Sequence, residues 1–148
     1  MDNIVFLEYY EQDDKFKKQL LDQIGEVKWA GGPYLYNKII NNEPNLKVYV
    51  IYDEDNKHII AFAALLDVDE IHDIDLKPWI SSLYVFESYR GKRYSEKLIK
   101  YIIDKCDANN LYISSDHIGL YEKYGFKVIA NMKNFEGHDT QVFEYKKK

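Results

Sequence analysis

The sequence has 148 residues, 46% of them hydrophobic, with a formal net charge of −5 at pH 7 and a single cysteine, Cys106. This composition excludes a disordered chain, an internal disulfide and a multi-cysteine metal site, and the acidic balance argues against a general nucleic-acid-binding protein. No apolar run approaches the roughly 20 residues that span a bilayer, and no signal-peptide pattern follows Met1, so we expect a soluble, cytoplasmic protein without a membrane partner that folds as one domain over residues 1–148.

The first quarter of the chain predicts one strand and two helices. Residues 4–9 are apolar and β-prone, which favours a strand. Asp13 can cap a helix whose apolar residues recur every four positions until Gly25, where the helix would end. Pro33, which follows two glycines, suits the first position of a second helix.

The middle of the chain predicts three strands, a long helix and a fourth strand. The runs at 46–52 and 58–66 flank a polar turn and should form an antiparallel hairpin, and another strand follows over 78–86. Apolar residues every four positions from Tyr94 to Cys106 predict a helix, and residues 111–114 a short strand. Because the last strand, helix and strand form a βαβ unit, we expect those two strands to be parallel.

The end of the chain predicts a short helix over 118–125, closed by Gly125, and a pair of strands at 126–130 and 140–146. The element order as a whole indicates an α/β fold with a mixed, partly antiparallel central sheet, one βαβ crossover and flanking helices. The terminal strands are compatible with a homodimer in which they exchange or pair between subunits.

The segment YRGKRYSEKLI, at 89–99, places three cations around a glycine where a strand gives way to a helix. The first-turn amides of a helix lack intrahelical partners and the helix dipole adds partial positive charge, so such a junction can bind an anion. Gly91 would permit a positive φ angle, and Arg90, Lys92 and Arg93 could add charge-assisted hydrogen bonds to a phosphate. A solvated basic loop is the alternative.

Two common phosphate-binding patterns do not occur in the sequence, which contains neither GxxxxGK[ST] nor GxGxxG. His58, His72 and His138 lack the spacing of metal ligands, so we expect no metal site. The basic loop therefore has to be interpreted together with the motifs around it.

Two motifs resemble signatures of the GNAT superfamily of N-acetyltransferases. LYVFESYRGKRYSEKLI, at 83–99, is similar to the loop with which that family binds the pyrophosphate of acyl-CoA, and LYISSDHIGLYEKYGFKVI, at 111–129, is similar to its second signature. WAGGPYL and LKPWISSLYV look like segments of a subgroup of small bacterial acetyltransferases. The resemblance spans most of the chain and implies a GNAT-like fold, a single acyl-CoA N-acyltransferase-like domain, and acetyl-CoA as acyl-donor co-substrate without a metal.

The basic loop departs from the family's usual pattern at three positions. The family usually carries glycine at the position of Arg93, glycine or alanine at Ser95, and proline at Glu87. Arg93 must therefore adopt a conformation that glycine takes freely, unless the loop differs slightly, and its side chain could instead reach a phosphate of CoA.

The resemblance implies two contacts with the coenzyme. Backbone amides of the loop would bind the pyrophosphate, and this loop comprises Arg90, Gly91, Lys92, Arg93, Tyr94 and Ser95. The preceding strand would pair with the pantetheine arm as an added strand does, and a backbone N–H of Leu83, Tyr84 or Val85 would polarise the thioester carbonyl.

The resemblance also implies direct attack by an amine, without an acyl-enzyme, and a tyrosine as general acid. Tyr121 occupies the position of the family's catalytic tyrosine, and a phenol with a pKa near 10 can protonate a leaving thiolate. Packing is the alternative for any one of 14 tyrosines, and Tyr124 is a second candidate donor.

The sequence leaves the general base open. Asp116 and His117 could relay a proton, although Asp116 also suits a helix N-cap and His117 a surface position. Ser81 and Ser82 should alternate between the two faces of their strand, so one of them would face the cleft and could hold a water that carries the proton away.

An acidic stretch precedes the strand at 78–86 and contains Asp67, Asp69, Glu70, Asp73 and Asp75. The stretch could attract a cationic amine such as a polyamine, an aminoglycoside or a lysine side chain, and the alternative is a solvated loop. Trp79, which follows it, either lines the acceptor pocket or anchors the sheet.

These features predict an acetyl-CoA-dependent N-acetyltransferase that moves an acetyl group directly to a primary amine of a small molecule or peptide. The alternatives are a non-catalytic acyl-CoA-binding sensor or regulatory domain, and an interaction module whose basic loop binds an acidic protein patch.

Overall fold

The β-prone runs of the sequence form seven strands in the part of the chain that the computed structural model describes, which is residues 3–72, 74–116 and 119–147. The strands are β1 (Ile4–Glu8), β2 (Lys47–Asp53), β3 (His58–Leu66), β4 (Trp79–Val85), β5 (Asn110–Ser115), β6 (Lys127–Lys133) and β7 (Asp139–Lys146). They make one sheet in the order β1-β2-β3-β4-β5-β7-β6. Every neighbouring pair is antiparallel except β4 and β5, which are parallel. The predicted mixed sheet with one βαβ crossover is confirmed.

Helices cover both faces of this sheet and are α1 (Asp14–Gly25), α2 (Gly31–Ile40) and α3 (Tyr94–Lys105). The predicted cap of α1 is present, because the Asp13 carboxylate accepts a hydrogen bond from the Phe16 N–H at 2.9 Å, an interaction worth about 1 kcal/mol. The apolar sides of α1 and α2 pack in one core cluster with β2 and β3, and α3 packs in a second cluster on the opposite face. Among the described helices, none has the length and apolar character needed to cross a bilayer.

The predicted helix over 118–125 is wrong in extent and type, but its predicted end at Gly125 is confirmed, because Gly125 is the C-terminal cap residue of a shorter helix. Within its described residues the structure contains only a short 3-10 turn at Glu122–Tyr124, and Ile118 lies outside the described residues. Gly119 and Gly125 both have left-handed φ angles, of 83° and 95°, and a helix cannot continue through such residues. The interval between them is too short for two turns of α-helix.

The parallel strands β4 and β5 stay together for only a short distance. Their register contains the single pair Trp79↔Tyr112, where the Tyr112 N–H donates to the carbonyl of Pro78 at 3.0 Å. Beyond that pair the two strands separate, and β5 continues along β7 instead. The sheet therefore opens in its middle, on the C-terminal side of β4.

Candidate active site

A β-bulge lies in β4 where the strand leaves β5. The register with β3 moves from Ala64↔Ser81 to Phe62↔Tyr84, so β4 contains one more residue than its partner, and Ser82 has a φ of 56°. The expectation that Ser81 and Ser82 face opposite sides of the strand is wrong, because the bulge interrupts the alternation. Both serines line one cavity, with their Oγ atoms 3.4 Å apart.

The cavity beside the bulge has a volume of about 630 Å³ and lies between β4, the end of β5, the start of α2, the connection at 67–78 and the β6–β7 hairpin. Its aromatic walls are Trp29, Tyr34, Tyr121 and Phe135. Its acidic groups are Asp69, Glu70, Asp116 and Glu136. No lysine or arginine of the described residues lines it. The cavity therefore favours a ligand that brings positive charge and apolar surface.

Tyr121, the predicted general acid, is part of the cavity wall. Its side chain is only 8% exposed and contacts the ring of Phe143, with the ring centroids 5.6 Å apart. Burial raises the pKa of the Tyr121 phenol, and a hydrogen bond with Ser115 opposes this rise only in part. The phenol therefore keeps its proton at neutral pH and is available as a donor inside the cavity.

The predicted anion site lies at the N-terminus of α3. Arg93 is the N-terminal cap residue and has the left-handed conformation, with φ 64° and ψ 27°, so it adopts the conformation in which the family usually has glycine. Gly91 also has a positive φ, of 84°. No described side chain caps the helix, and the first intrahelical bond here runs from the Lys97 N–H to the Arg93 carbonyl. The positive end of the α3 dipole is therefore left for an anion to occupy.

The side chains of this loop have different surroundings. Arg90 lies against β4, where its Nε donates to the Val85 carbonyl at 2.9 Å and its guanidinium stands 5.3 Å from the centre of the Tyr84 ring. Lys92 and Arg93 are exposed. All three cations are thus exposed, and Arg90 also fixes the position of the loop on the strand.

The two remaining loop residues point into the protein. The Tyr94 ring is buried and meets the Tyr89 ring edge-on. The Ser95 hydroxyl lies 3.1 Å from the Tyr124 hydroxyl. Through this contact, Tyr124 is attached to the first turn of α3, whereas Tyr121 lines the cavity.

The predicted pantetheine-binding residues of β4 lie next to the opening of the sheet. Leu83 follows the bulge and lines the cavity. The Tyr84 ring lies on the face of α1 and α2, stacked between Phe62 at 5.7 Å and Trp29 at 5.8 Å. In the described part of the chain, no strand pairs with the β5 side of Leu83, Tyr84 and Val85. The Val85 carbonyl on this side is bound by the Arg90 Nε, so an added strand would pair with the rest of this edge.

Asp69 belongs to the acidic stretch that the sequence offered for attracting an amine, but its burial in the cavity wall was not predicted. Its side chain is 4% exposed, and its Oδ1 atom accepts hydrogen bonds from the Tyr34 hydroxyl at 3.0 Å and from the Ser81 hydroxyl at 2.9 Å. Burial raises the pKa of Asp69 to about 6, although both hydrogen bonds lower it. Two apolar residues inside the acidic stretch, Ile71 and Ile74, pack on the core and are the only sequence signal that the stretch is not fully solvated.

Glu70, next to it, joins three parts of the cavity wall. Its carboxylate accepts hydrogen bonds from Ser114 at 2.8 Å and from the Asn134 amide at 3.0 Å. Its backbone carbonyl accepts the Phe135 N–H at 2.8 Å. Asp73, in the same acidic stretch, lies outside the described residues.

The remaining described candidate residues from the sequence lie outside the cavity or at its rim. Trp79 is buried, donates from Nε1 to the Leu76 carbonyl at 2.6 Å and does not line the cavity, so it anchors the sheet. Asp116 is exposed at the cavity rim, and His117 lies outside the described residues. Cys106 follows α3 and is half-buried. Within the described ranges, no three His, Cys, Asp or Glu side chains are grouped in a way that could hold a metal ion.

Comparisons with known proteins bear on the family and the fold. Residues 44–128 match the family model "Acetyltransferase (GNAT) domain". The matched segment contains the hairpin of β2 and β3, the bulged strand, the basic loop, α3 and Tyr121. No curated protein matches the sequence.

Solved structures with the same fold cover nearly the whole chain. A GNAT family acetyltransferase from Elizabethkingia anophelis with acetyl-CoA bound has a TM-score of 0.66 at 19% identity, covering 99% of each chain. A spermidine N-acetyltransferase SpeG chimera from Vibrio cholerae and hSSAT has a TM-score of 0.67 at 17% identity, covering 97% of this chain and 95% of that one. The NatC complex bound to Gag peptide and CoA contains a chain with a TM-score of 0.67 at 20% identity, with coverage of 97% and 98%. These likenesses show the fold, and because the family model matches more than half of the sequence, the chain belongs to the GNAT acetyltransferase family.

Proposed function

We propose that this protein is an acetyl-CoA-dependent N-acetyltransferase that moves an acetyl group directly to a primary amine of a small molecule or peptide. The observation that carries the proposal is the separation of β4 from β5 beside a cavity whose wall contains a buried, protonated Tyr121. The proposal joins three features, which are the strand edge that β5 leaves open, a helix N-terminus that no described side chain caps, and an acid.

The residues present fit the acyl donor. The uncapped N-terminus of α3, with Lys92 and Arg93 exposed beside it, suits a pyrophosphate. The edge at Leu83, Tyr84 and Val85 has no strand beside it among the described residues and suits the amides of a pantetheine arm, with the Val85 carbonyl bound by Arg90. When bound, the coenzyme would supply an activated acetyl thioester, and a backbone N–H of this edge would polarise its carbonyl.

Tyr121 would then supply a proton to the departing thiolate, since its raised pKa keeps the phenol protonated at neutral pH. The acidic, aromatic cavity would receive the amine. The spermidine enzyme and the peptide-bound NatC complex among the structural neighbours support both a small-molecule and a peptide acceptor as candidates.

Calorimetry with CoA and acetyl-CoA, followed by turnover with spermidine, an aminoglycoside and a short peptide, tests the proposal. We expect coenzyme binding and acetylation of at least one amine. Tyr121→Phe should keep coenzyme affinity within about twofold and lose about 100-fold or more in kcat at pH 7. Tyr124→Phe is the matched control, because its hydroxyl contacts Ser95 and it should keep most of the turnover.

Each other outcome has a defined meaning. Full turnover in Tyr121→Phe with a loss in Tyr124→Phe would move the acid to Tyr124. Coenzyme binding without turnover of any amine would favour the acyl-CoA-binding sensor, and no coenzyme binding would reject both enzyme and sensor.

A further inference from the structure

We propose that Asp69 is a catalytic residue of this site, whose free carboxylate oxygen binds the ammonium group of the acceptor amine and takes up its proton. The inference rests on the proposed function and deepens it, because it names the base and the protonation state in which the acceptor binds. The acceptor class is a primary amine that is protonated at neutral pH.

The two oxygens of Asp69 have different surroundings. Oδ1 accepts hydrogen bonds from Tyr34 and Ser81, whereas Oδ2 has no hydrogen-bond partner among the described residues. No fully enclosed side-chain oxygen of the described residues lacks a hydrogen-bond partner, so Oδ2 is not fully enclosed. Because Asp69 is 96% buried yet lines the cavity, this oxygen opens onto the cavity. One oxygen of this buried carboxylate is hydrogen-bonded and the other is not. The second oxygen can therefore accept a hydrogen bond from a donor group of a ligand.

The charged groups described around Asp69 do not provide a cation in contact with its Oδ2, so a ligand would have to supply the counter-ion. Glu70 on the same connection raises the pKa of Asp69, and Lys38 on α2 lowers it only weakly, as the smallest of the named influences. Lys38 lies 3.7 Å from Glu43, and no described lysine or arginine lines the cavity. Across the cavity stand Asp116, Tyr121 and Glu136, which carry no positive charge. An ammonium group would therefore be the only cation in contact with Oδ2 among the groups described.

Position within the sheet links this oxygen to the reaction. Ser81, which binds Oδ1, is next to the bulge at Ser82, and this bulge lies where the unpaired edge of β4 begins. Tyr121 lines the same cavity. The acceptor nitrogen held by Asp69 would thus lie beside the strand that orients the thioester, with the acid in the same enclosed space.

Asp69 and Tyr121 together account for every proton that moves in the reaction. The ammonium passes one proton to Asp69 Oδ2, and the freed electron pair of nitrogen forms the bond to the carbonyl carbon. The carbon–sulfur bond breaks with its electron pair on sulfur, and Tyr121 donates its proton to that sulfur. The second proton of the amine restores Tyr121, and Asp69 releases its proton to solvent, so the net products are the acetamide, free CoA thiol and one proton.

The pH dependence of kcat/KM for spermidine tests this role. Above a pKa of about 6 the wild-type carboxylate is ionised, so kcat/KM should be level from pH 7 to 9. Asp69→Asn can use only the neutral form of the amine, whose conjugate acid has a pKa near 10. Its kcat/KM should therefore be about 100-fold lower than that of the wild type at pH 7 and should rise about tenfold per pH unit. Acetyl-CoA affinity by calorimetry should not change. Asp67→Asn is the matched control, because Asp67 accepts a hydrogen bond from Asn45 at the surface and is outside the cavity.

Tyr34→Phe provides a readout that a purely structural role would not move. The Tyr34 hydroxyl lowers the pKa of Asp69, so its removal should shift the acidic limb of the wild-type profile to higher pH while the level region remains. An unchanged limb in Tyr34→Phe, or the same level profile in Asp69→Asn as in wild type, would overturn the proposal.

Binding of butane-1,4-diamine to the free protein gives a test without turnover. The carboxyl carbon resonance of Asp69, followed by NMR against pH, should show a lower pKa when the diamine is present, since an ammonium favours the charged form. An identical titration with and without saturating diamine would overturn the role of Asp69 by itself. Failure of the proposed function would instead appear as absent coenzyme binding, which this titration does not depend on.

Discussion

Arg93 joins the basic loop to α3 in the left-handed region, with φ 64° and ψ 27°. A residue with a Cβ atom is disfavoured there by on the order of 1 kcal/mol relative to glycine. The family resemblance implies glycine at this position, and Arg93 adopts the left-handed conformation that glycine takes freely. Because the Arg93 side chain is exposed beside an uncapped helix terminus, a contact with the coenzyme would explain why arginine is tolerated.

Arg93→Gly separates backbone conformation from side-chain contact. Relief of strain and the greater freedom of the unfolded chain oppose each other, so the free energy of unfolding should change by less than about 1 kcal/mol. Affinity for CoA should fall about three- to tenfold, with a smaller dependence on salt, because one charge-assisted contact is lost. Lys57→Gly is the control, since Lys57 has a similar φ of 57° in the β2–β3 turn. Equal CoA affinity in both variants would contradict a phosphate contact by Arg93.

Asp69 makes a stability prediction that is independent of turnover. The folded protein raises its pKa from 3.8 to about 6, so the folded state binds this proton more tightly than the unfolded state does. The contribution of the Asp69 carboxyl to the free energy of unfolding is therefore fully present below pH 3.8, and it is lost as the pH rises through 6. Asp69→Asn does not titrate, and its carbonyl oxygen can still accept both hydrogen bonds. Its free energy of unfolding relative to wild type should rise between pH 4 and 7 by about 2 kcal/mol. Urea denaturation at pH 4, 5, 6 and 7 measures this, and a difference that stays flat would contradict the raised pKa.

At the scale of elements, the β2–β3 hairpin holds the turn that precedes the basic loop. Asp53, the last residue of β2, accepts hydrogen bonds from the Asn56 side chain and from the Tyr89 hydroxyl, the latter at 3.0 Å. These bonds lower the pKa of Asp53, those from Asn56 most strongly, so the carboxylate stays ionised at neutral pH. Tyr89 immediately precedes Arg90, so the hairpin fixes where the loop begins.

Tyr89→Phe should loosen the loop without touching the cavity. We expect KM for acetyl-CoA to rise about three- to tenfold while kcat for the amine is nearly unchanged, because Tyr89 positions the loop and does not line the cavity. Tyr101→Phe is the control, since no described group forms a hydrogen bond with its hydroxyl and its ring stacks on Phe6. A fall in kcat with constant KM would place the effect of Tyr89 in the chemical step instead.

Local patterns predicted most elements correctly, because their signals are contained in neighbouring residues. The strand at 58–66 matches β3 at both ends, and the Asp13 cap and the Tyr94 start of α3 follow from single residues. The bulge at Ser82 carries no such signal, since it arises from the register between two strands. The predicted helix over 118–125 is shorter in the structure for a local reason. Gly119, like Gly125, has a left-handed conformation, which the sequence pattern did not indicate.

At the scale of the whole molecule, the cavity wall is assembled from segments that are far apart in the sequence. Tyr34 from α2, Asp69 and Glu70 from the 67–78 connection, and Asn134 from the β6–β7 hairpin meet only because the sheet brings them together. No spacing rule relates these positions. Tyr121 could therefore be proposed as the acid from a contiguous motif, whereas the acidic stretch did not show which of its carboxylates is buried in the cavity wall. The molecule also divides its charge, with acidic groups in the cavity and exposed cations at the α3 terminus.

Glu70→Ala tests whether the wall acts as one assembly. The change removes the acceptor shared by Ser114 and Asn134 but keeps the backbone bond from Phe135 to residue 70. Loss of two hydrogen bonds to a charged group should destabilise the protein by about 1–3 kcal/mol and raise KM for spermidine, while CoA affinity remains unchanged. Hydrogen exchange at residues 134–138 should become faster, because the hairpin loses its side-chain attachment to the connection. Glu136→Ala, in the same hairpin and without a hydrogen-bonded carboxylate among the described residues, should leave that exchange rate unchanged. If both variants exchange at the wild-type rate, the hairpin is held by the sheet alone and Glu70 does not position the acceptor wall.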